Sequence, residues 1–165
     1  MLKIDPASLT VKPFQLLDKE WALLVGGTDK PNPMTVSWGG LGTLWNRPVA
    51  TVYVRPSRHT YSLLNEHPEF TLNFMGESFR PALNLCGSRS GRDLNKWEAA
   101  KLEAGPAEPV AVPRVRGSRI SLACRTLATF DLDPGRFLDP SIEGLYASKD
   151  YHRVFLGEVV AAWER

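Results

Sequence analysis

The chain has 165 residues, of which 43% are hydrophobic and 23% are charged, as is typical of one soluble globular domain. Its net charge of +2 is too small to favour nucleic-acid binding through bulk electrostatics. The first residues, MLKIDPASL, lack the apolar core of a signal peptide, and apolar runs of about six residues are too short to span a membrane. We therefore expect a single domain over residues 1–165 in the cytoplasm, with neither nucleic acid nor membrane as a partner.

Short strands and a few short helices are predicted from the periodicity of the apolar residues. In chain order the predicted elements are strands at 21–25, 34–38 and 49–54, a helix at 58–67, a strand at 69–75, a helix at 78–86 capped by Ser78, a helix capped near Asp93, and strands at 118–132 and 151–163. Stretches 39–48 and 103–113 are predicted to be loops. Because strands and helices do not alternate regularly, the predicted fold is mainly β: a closed antiparallel β-barrel with two or three short peripheral helices.

Metal binding and the common catalytic frameworks are not indicated by any motif. Cys86 and Cys124 are far apart and form no CxxC pair, which favours two buried free thiols in a reducing cytoplasm, although a single disulfide is an alternative. The three histidines lack metal-ligand spacing, and no metal is expected. No Walker loop, GxGxxG or GxSxG occurs, so a nucleotide bound in the Rossmann manner is excluded.

The segment RPSRHTY, residues 55–61, follows an apolar strand directly and resembles an anion site. We predict that Ser57 caps a helix whose first N–H groups point outward, beside Arg55, Arg58 and the hydroxyl of Thr60. Such a cluster suits a phosphate dianion. A solvated, capped helix start with surface arginines is an equally good explanation.

A second polar segment, MTVSW at residues 34–38, lies just upstream. Thr35 and Ser37 alternate with Val36, so that one strand face carries hydroxyl groups. That face suits a flat heteroaromatic ligand walled by Trp38, although an ordinary half-buried strand has the same pattern.

Taken in order, NPMTVSW, PVATVYVRPSRHTY, FTLNF, SGRD and HRVFLGEV resemble the flavin reductase-like family, the FMN-binding split barrel, over about residues 21–159. The longer helical segment around SGRD is closest to a flavoredoxin-like branch. The resemblance implies FMN as the cofactor. It implies three sets of cofactor-binding residues: a phosphate group of Arg55, Ser57, Arg58 and Thr60; a ring and ribityl wall of Met34, Thr35, Val36, Ser37 and Trp38; and further contacts from Asn73, Ser90, Gly91 and Arg92.

The resemblance also implies an NAD(P)H-dependent flavin reductase, an oxidoreductase in which hydride passes from NADH or NADPH to flavin N5 and electrons then pass to free flavin or a redox protein partner. His152 would orient the nicotinamide or a flavin edge, although a structural histidine at the barrel rim is an equal alternative. An FMN electron carrier without efficient NAD(P)H turnover and a non-catalytic flavin-binding module are the alternative functions. Family members are usually homodimers, and a homodimer is expected here.

Two basic segments lie outside these motifs. Lys96 and Lys101 flank Trp97 on a predicted helix, and their aliphatic stems are expected to cover apolar surface. The run from Arg114 to Arg119 is interpreted as a solvated turn, with attraction of an anionic nicotinamide dinucleotide as the weaker alternative.

Overall fold

A computed structural model describes residues 1–165, which form ten strands and four short α-helices. The strands are β1 Leu2–Ile4, β2 Ala22–Gly26, β3 Asn32–Val36, β4 Gly39–Leu44, β5 Arg47–Val54, β6 Glu69–Phe74, β7 Ala104–Ala107, β8 Val110–Val115, β9 Ile120–Asp131 and β10 Arg153–Glu164. The helices are α1 Pro13–Gln15, which continues as a π-helical turn Leu16–Glu20, α2 His59–Glu66, α3 Arg80–Ser88 and α4 Lys96–Ala99, with 3-10 turns at Pro6–Ser8, Glu77–Phe79, Pro134–Arg136 and Pro140–Leu145.

One large antiparallel sheet holds most of the strands, in the order β3-β2-β6-β9-β10-β5-β4. β1 pairs with the end of β10, Ile4 lying opposite Ala162, and β7 and β8 form a separate hairpin. The prediction of a mainly β fold with a few short helices is confirmed. None of the helices has both the length and the apolar character needed to cross a membrane.

The predicted closed barrel is wrong, because β3 and β4 are the two edges of the sheet and are not hydrogen-bonded to each other. The predicted loop 39–48 is instead β4 and its tight hairpin turn to β5, at which Trp45 and Asn46 adopt φ of 52° and 58°. The backbone of Gly39 approaches β5 so closely that a Cβ there would lie 2.6 Å from the carbonyl oxygen of Thr51. β4 pairs with β5 alone, and the sheet is open between β4 and β3.

The second predicted loop, 103–113, is also ordered structure, since it contains β7 and the start of β8. Val112 and Val115 of β8 are fully buried in an apolar cluster that includes Leu23 and Val25 of β2. Prolines in this stretch interrupt the alternation on which strand prediction depends, which hid the hairpin.

Apolar side chains fill both faces of the central strands. Phe70 and Phe155 are fully buried on one face, in the main cluster, and Leu23 lies in the second cluster beneath α3. The segment before β2 belongs to the core as well, because Leu16 and Leu17 are 4% and 6% exposed. Cys86 and Cys124 are buried free thiols, in agreement with the prediction.

Candidate functional site

A cleft lies beside the edge strand β3, where the sheet is open. We call it the aromatic cleft; it has a volume of about 220 Å³. Its lining residues are Met34, Thr35, Val36, Ser37, Trp38, Tyr53, Arg55, Arg58, Gly87 and His152. All five residues of the predicted segment 34–38 are among them. Because β3 is an edge strand, its outer backbone N–H and C=O groups have no strand partner and are available to a ligand.

A second cavity of about 220 Å³, the polar pocket, adjoins the aromatic cleft, and both are lined by Met34 and Arg58. Its lining residues are Asn32, Met34, Ser57, Arg58, His59, Thr60, Ser88, Arg89, Ser90, Gly91 and Lys96. The structure therefore brings Ser57, Arg58 and Thr60 of the predicted phosphate group together with Ser90 and Gly91 in one pocket, and their role in cofactor binding stays a prediction. Arg92 lies just outside, in a neighbouring cavity, and donates from Nη1 to the carbonyl oxygen of Ser57 at 3.2 Å.

Helix α2 begins at the polar pocket without a side-chain cap. The prediction that Ser57 caps it is wrong: the N-cap is Arg58, whose backbone is extended, and no side chain accepts from the first turn. The first N–H groups of the helix have no intrahelical acceptors and carry partial positive charge. The uncapped helix start therefore adds to the positive potential of the pocket.

Three cations line the polar pocket without forming an ion pair to any carboxylate: Arg58, Lys96 and the exposed Arg89. Arg58 is held by Met34 Sδ at 3.3 Å from Nε and by the carbonyl oxygen of Gly87 at 2.8 Å from Nη2. Burial, together with the charge of Arg55, lowers the pKa of Arg58. Burial lowers the pKa of Lys96 to about 8, and Arg58 contributes to this shift. The desolvated charges are uncompensated, and an anion would stabilise both of them.

Arg55 and Ser57 are engaged with a carboxylate that the sequence analysis did not connect to them. Arg55 Nη1 donates to Asp150 Oδ1 at 2.6 Å, and Ser57 Oγ donates to Asp150 Oδ2 at 3.0 Å. Burial alone would raise the pKa of Asp150, but these two hydrogen bonds outweigh it and lower the pKa. The structure therefore places Arg55 in the aromatic cleft, with its charge paired to Asp150, and its contact with a phosphate stays a prediction.

Close packing shapes the polar pocket on its far side. A Cβ at Gly91 would lie 1.9 Å from Asn32 Oδ1 and 3.0 Å from His59 Cδ2, so only glycine fits there. Asn32 donates from Nδ2 to Thr60 Oγ1 at 2.8 Å, and Thr60 is fully buried. The Nδ1 atom of His59 is buried without a hydrogen-bond partner.

His152 lies at the other side of the aromatic cleft and is 7% exposed. Its Nδ1 is 2.8 Å from the hydroxyl oxygen of Tyr146, and its ring centroid is 5.1 Å from that of Trp38. Burial, with a contribution from Arg55, lowers the pKa of His152 to about 4. The imidazole is therefore neutral at physiological pH.

A third cavity, the apolar cavity, has a volume of about 1030 Å³ and shares Ser37, Trp38 and Tyr53 with the aromatic cleft. Phe14 and Leu145, two of its lining residues, are 90% and 54% exposed. A second planar molecule therefore has space beside the aromatic cleft.

The architecture and sequence of the chain have counterparts among known proteins. A family model described as the flavin reductase like domain matches residues 21–165. The chain belongs to this family.

An uncharacterized protein of Archaeoglobus fulgidus is 30% identical over 105 residues, which are 64% of this chain and 59% of that protein, less than two thirds of its length. Flavoredoxin from Methanosarcina acetivorans has a TM-score of 0.71 at 22% identity, covering 100% of this chain and 75% of that one. A Streptomyces globisporus NADH:FAD oxidoreductase has a TM-score of 0.69 at 17% identity, covering 88% and 74%. At these identities the structural likeness shows the fold alone, which is that of the flavin reductase-like proteins.

Two residues, Asn73 and Lys96, lie in surroundings that differ from those predicted from the sequence. Asn73 lies in neither cavity: it is fully buried, donates to the carbonyl oxygen of Leu23 and to Thr71, and accepts from the backbone N–H of Val115 and from Ser121. These bonds use its whole side chain and tie β6 of the main sheet to β8 of the separate hairpin.

Lys96 is the opposite case, because it was interpreted as a surface lysine yet is 3% exposed in the polar pocket. Nothing in its local sequence marks it, since its burial depends on contacts with α3 and β3. Asn32, His59 and Tyr53 were also missed; the first of these lies only two residues before the predicted ring wall.

Proposed function

We propose that this chain binds FMN, with the phosphate in the polar pocket and the ring system in the aromatic cleft. The observation that carries this proposal is the pair of desolvated, uncompensated cations, Arg58 and Lys96, beside a cleft walled by an aromatic side chain and an open strand edge. A phosphate monoester has about −1.5 to −2 charges near neutral pH and three acceptor oxygens, which matches two cations and an uncapped helix start.

The details of the polar pocket fit a phosphate well. Gly91 keeps open a space that any side chain would fill, and His59 Nδ1 is a buried polar atom without a partner. The two adjoining cavities together are of the size expected for a small-ligand site, roughly 300–1,000 Å³. The residues present therefore fit the mononucleotide end of a flavin.

Bound FMN would supply hydride and electron transfer, which are the chemistry of the flavin ring itself. The residues of the chain would hold the FMN and orient its ring system. Thr35 donates its hydroxyl to the carbonyl oxygen of Leu83 at 2.5 Å, so its side chain is committed, whereas the hydroxyl of Ser37 makes no hydrogen bond within the protein. Ser37 and the edge of β3 are therefore the groups that we assign to the ring, with Trp38 as its wall and Arg58 between ring and phosphate.

We further propose that the activity is that of an NADH- or NADPH-dependent flavin reductase. The support is the apolar cavity, which shares one wall with the aromatic cleft and has room for a nicotinamide. His152, neutral and at the boundary of the cleft, is the residue that we assign to orient the nicotinamide or a flavin edge.

The experiment is an absorbance spectrum of the purified protein, before and after added FMN, followed by anaerobic NADH and NADPH. Flavin bands that bleach with either nicotinamide support the reductase. Flavin bands that persist would replace it with an electron carrier or a non-catalytic flavin-binding module, which a protein electron donor would separate. Protein that stays colourless and does not bind added FMN would overturn the whole proposal.

A homodimer is also proposed. Phe14, Trp38 and Leu145 are 90%, 43% and 54% exposed around the apolar cavity, and clustered apolar exposure is typical of an interface. Sedimentation equilibrium of the FMN-loaded protein checks this, and the monomer mass at micromolar concentration would contradict it.

A further inference from the structure

The chain between β9 and β10, residues 132–152, is anchored beside the aromatic cleft; we call it the β9–β10 connection. Its two ends meet where the N–H of Leu132 donates to the carbonyl oxygen of His152 at 3.0 Å. Arg55 ties it to the end of β5, through Asp150 at 2.6 Å and through the carbonyl oxygen of Leu145 at 3.0 Å. The connection is thus fixed at several points against the cleft.

Tyr146 occupies the centre of this anchored segment and is only 3% exposed. The guanidinium of Arg55 lies over its ring at 4.9 Å, and the rings of Phe137 and Tyr151 pack against it at 6.1 and 4.8 Å. Its hydroxyl oxygen is 2.8 Å from His152 Nδ1, and the two rings are nearly perpendicular, at 76°. Packing on several sides leaves the hydroxyl group directed at one atom.

The direction of this hydrogen bond follows from what else the two groups can reach. The Tyr146 hydroxyl has no other acceptor within the protein, and leaving a buried O–H unpaired is costly. Tyr146 therefore donates and His152 Nδ1 accepts. A neutral imidazole that accepts at Nδ1 carries its proton on Nε2.

The other ring nitrogen of His152, Nε2, is free to donate a hydrogen bond to a ligand. Nε2 makes no hydrogen bond within the protein and is not among the enclosed unpaired atoms, and the residue lines the aromatic cleft. Trp38 also packs against the imidazole, at 5.1 Å between ring centroids. The ring is therefore in contact with both Tyr146 and Trp38, with one donor left unused.

We infer that Tyr146 is a positioning residue that holds His152 in the Nε2–H tautomer, so that the aromatic cleft presents a neutral hydrogen-bond donor to an acceptor atom of the bound flavin ring. The part concerning flavin rests on the proposed function, whereas the tautomer belongs to the ligand-free protein. Arg55 and Asp150 support this role by fixing the connection that carries Tyr146.

The first test is the tautomer of His152 in the flavin-free protein at neutral pH, measured by ¹⁵N–¹H NMR with His152→Gln for assignment. We expect Nδ1 to appear unprotonated and Nε2 protonated, and Tyr146→Phe to shift the signals towards a mixture of both tautomers. Tyr151→Phe is the matched control, because it removes a hydroxyl from the same connection, one bonded to Glu143 and not to His152. Protonated Nδ1 in the wild type, or unchanged signals in Tyr146→Phe, would overturn the inference.

The second test is FMN affinity in Tyr146→Phe, His152→Gln and the double variant, measured by fluorescence titration. We expect Tyr146→Phe to weaken binding by about two- to tenfold and to have no added effect once His152 is replaced. Equal losses in both backgrounds would contradict a role through His152. Absence of FMN binding by the wild type would overturn the proposed function and the flavin part of the inference, while the NMR result would still decide the tautomer.

Discussion

Lys96 donates a hydrogen bond from Nζ to the backbone carbonyl oxygen of Cys86 at 2.9 Å, although its side chain is 3% exposed and faces no carboxylate. Lysine is almost never this buried without a partner of opposite charge. The same neighbourhood raises the pKa of the Cys86 thiol to about 11 by burial, so the thiol supplies no negative charge near neutral pH. The phosphate of the proposed FMN site would supply the opposite charge that Lys96 lacks.

Lys96→Gln is expected to weaken FMN binding and to change its pH dependence. Because the pKa of Lys96 is lowered to about 8, its ammonium group loses its proton as pH rises through that value. The phosphate of FMN, with a second pKa near 6, is already a dianion in this range. Wild-type affinity should fall between about pH 7 and pH 9, and the variant should lose this decline together with about 1.5–3 kcal/mol of binding free energy at pH 7. Calorimetric titration at several pH values measures both, with the exposed Lys101→Gln as the control. A variant with the wild-type pH profile would contradict the assignment.

Arg58→Ala should weaken FMN binding by about 1.5–3 kcal/mol through loss of a charge-assisted hydrogen bond. Riboflavin lacks the phosphate, so its affinity should change less than that of FMN. Arg116→Ala, on the β7–β8 hairpin, removes an exposed arginine bonded to the carbonyl oxygen of Ala104 and should leave both affinities unchanged. Equal losses for FMN and riboflavin would place Arg58 at the ring and not at the phosphate.

Gly91→Ala should close the polar pocket. The new methyl group would collide with the side chain of Asn32, which must move and break its hydrogen bond to Thr60. We expect FMN affinity to fall at least tenfold while circular dichroism stays native. Gly76→Ala is the matched control, because a Cβ there meets nothing within 4 Å and its φ of −76° suits alanine. FMN affinity retained in Gly91→Ala would show that the phosphate does not use this pocket.

His152 should make the free energy of unfolding depend on pH. Its pKa is about 4 in the folded protein and about 6.5 in an unfolded chain, so between these values the unfolded state binds more protons. Stability should therefore fall as pH is lowered from about 6.5 to about 4, and His152→Gln should fall less steeply. Part of the slope will remain, because burial and the charges of Arg92 and Lys96 also lower the pKa of His59. Urea unfolding across this range, compared with His67→Gln, measures the difference, and parallel curves would contradict it.

How much of the site was predictable depends on how local each interaction is. The hydroxyl face of residues 34–38 and the basic turn 55–58 were found because each lies within one short segment at a strand end. Asp150 lies 93 residues from Ser57, and nothing in either segment indicates their hydrogen bond. That distant carboxylate accepts hydrogen bonds from two residues predicted to bind phosphate, Arg55 and Ser57, and so anchors the β9–β10 connection.

The errors in the fold have the same origin. The alternation in β6 correctly separates Thr71 and Asn73 from Phe70 and Leu72, but it cannot reveal that a second layer, formed by β8 and α3, covers the polar face. Closure of the sheet into a barrel depends on whether the edge strands β3 and β4 form hydrogen bonds with each other, and the sequence of neither strand alone determines this. Elements with a clear apolar alternation could therefore be predicted, whereas β4, β7, β8 and the layer that covers the polar face of the sheet could not.

The N-terminal segment gives the fold a boundary different from the one that family comparison suggests. The family match begins at residue 21. Before it, β1 pairs with the edge of β10 at Ala162–Glu164, and Leu16 and Leu17 pack in the main apolar cluster. A shortened protein that starts at residue 21 would leave a bare strand edge beside an unfilled apolar surface, a combination that invites self-association. Expression and engineering of this protein should therefore keep its first twenty residues, even though they lie outside the recognised family region.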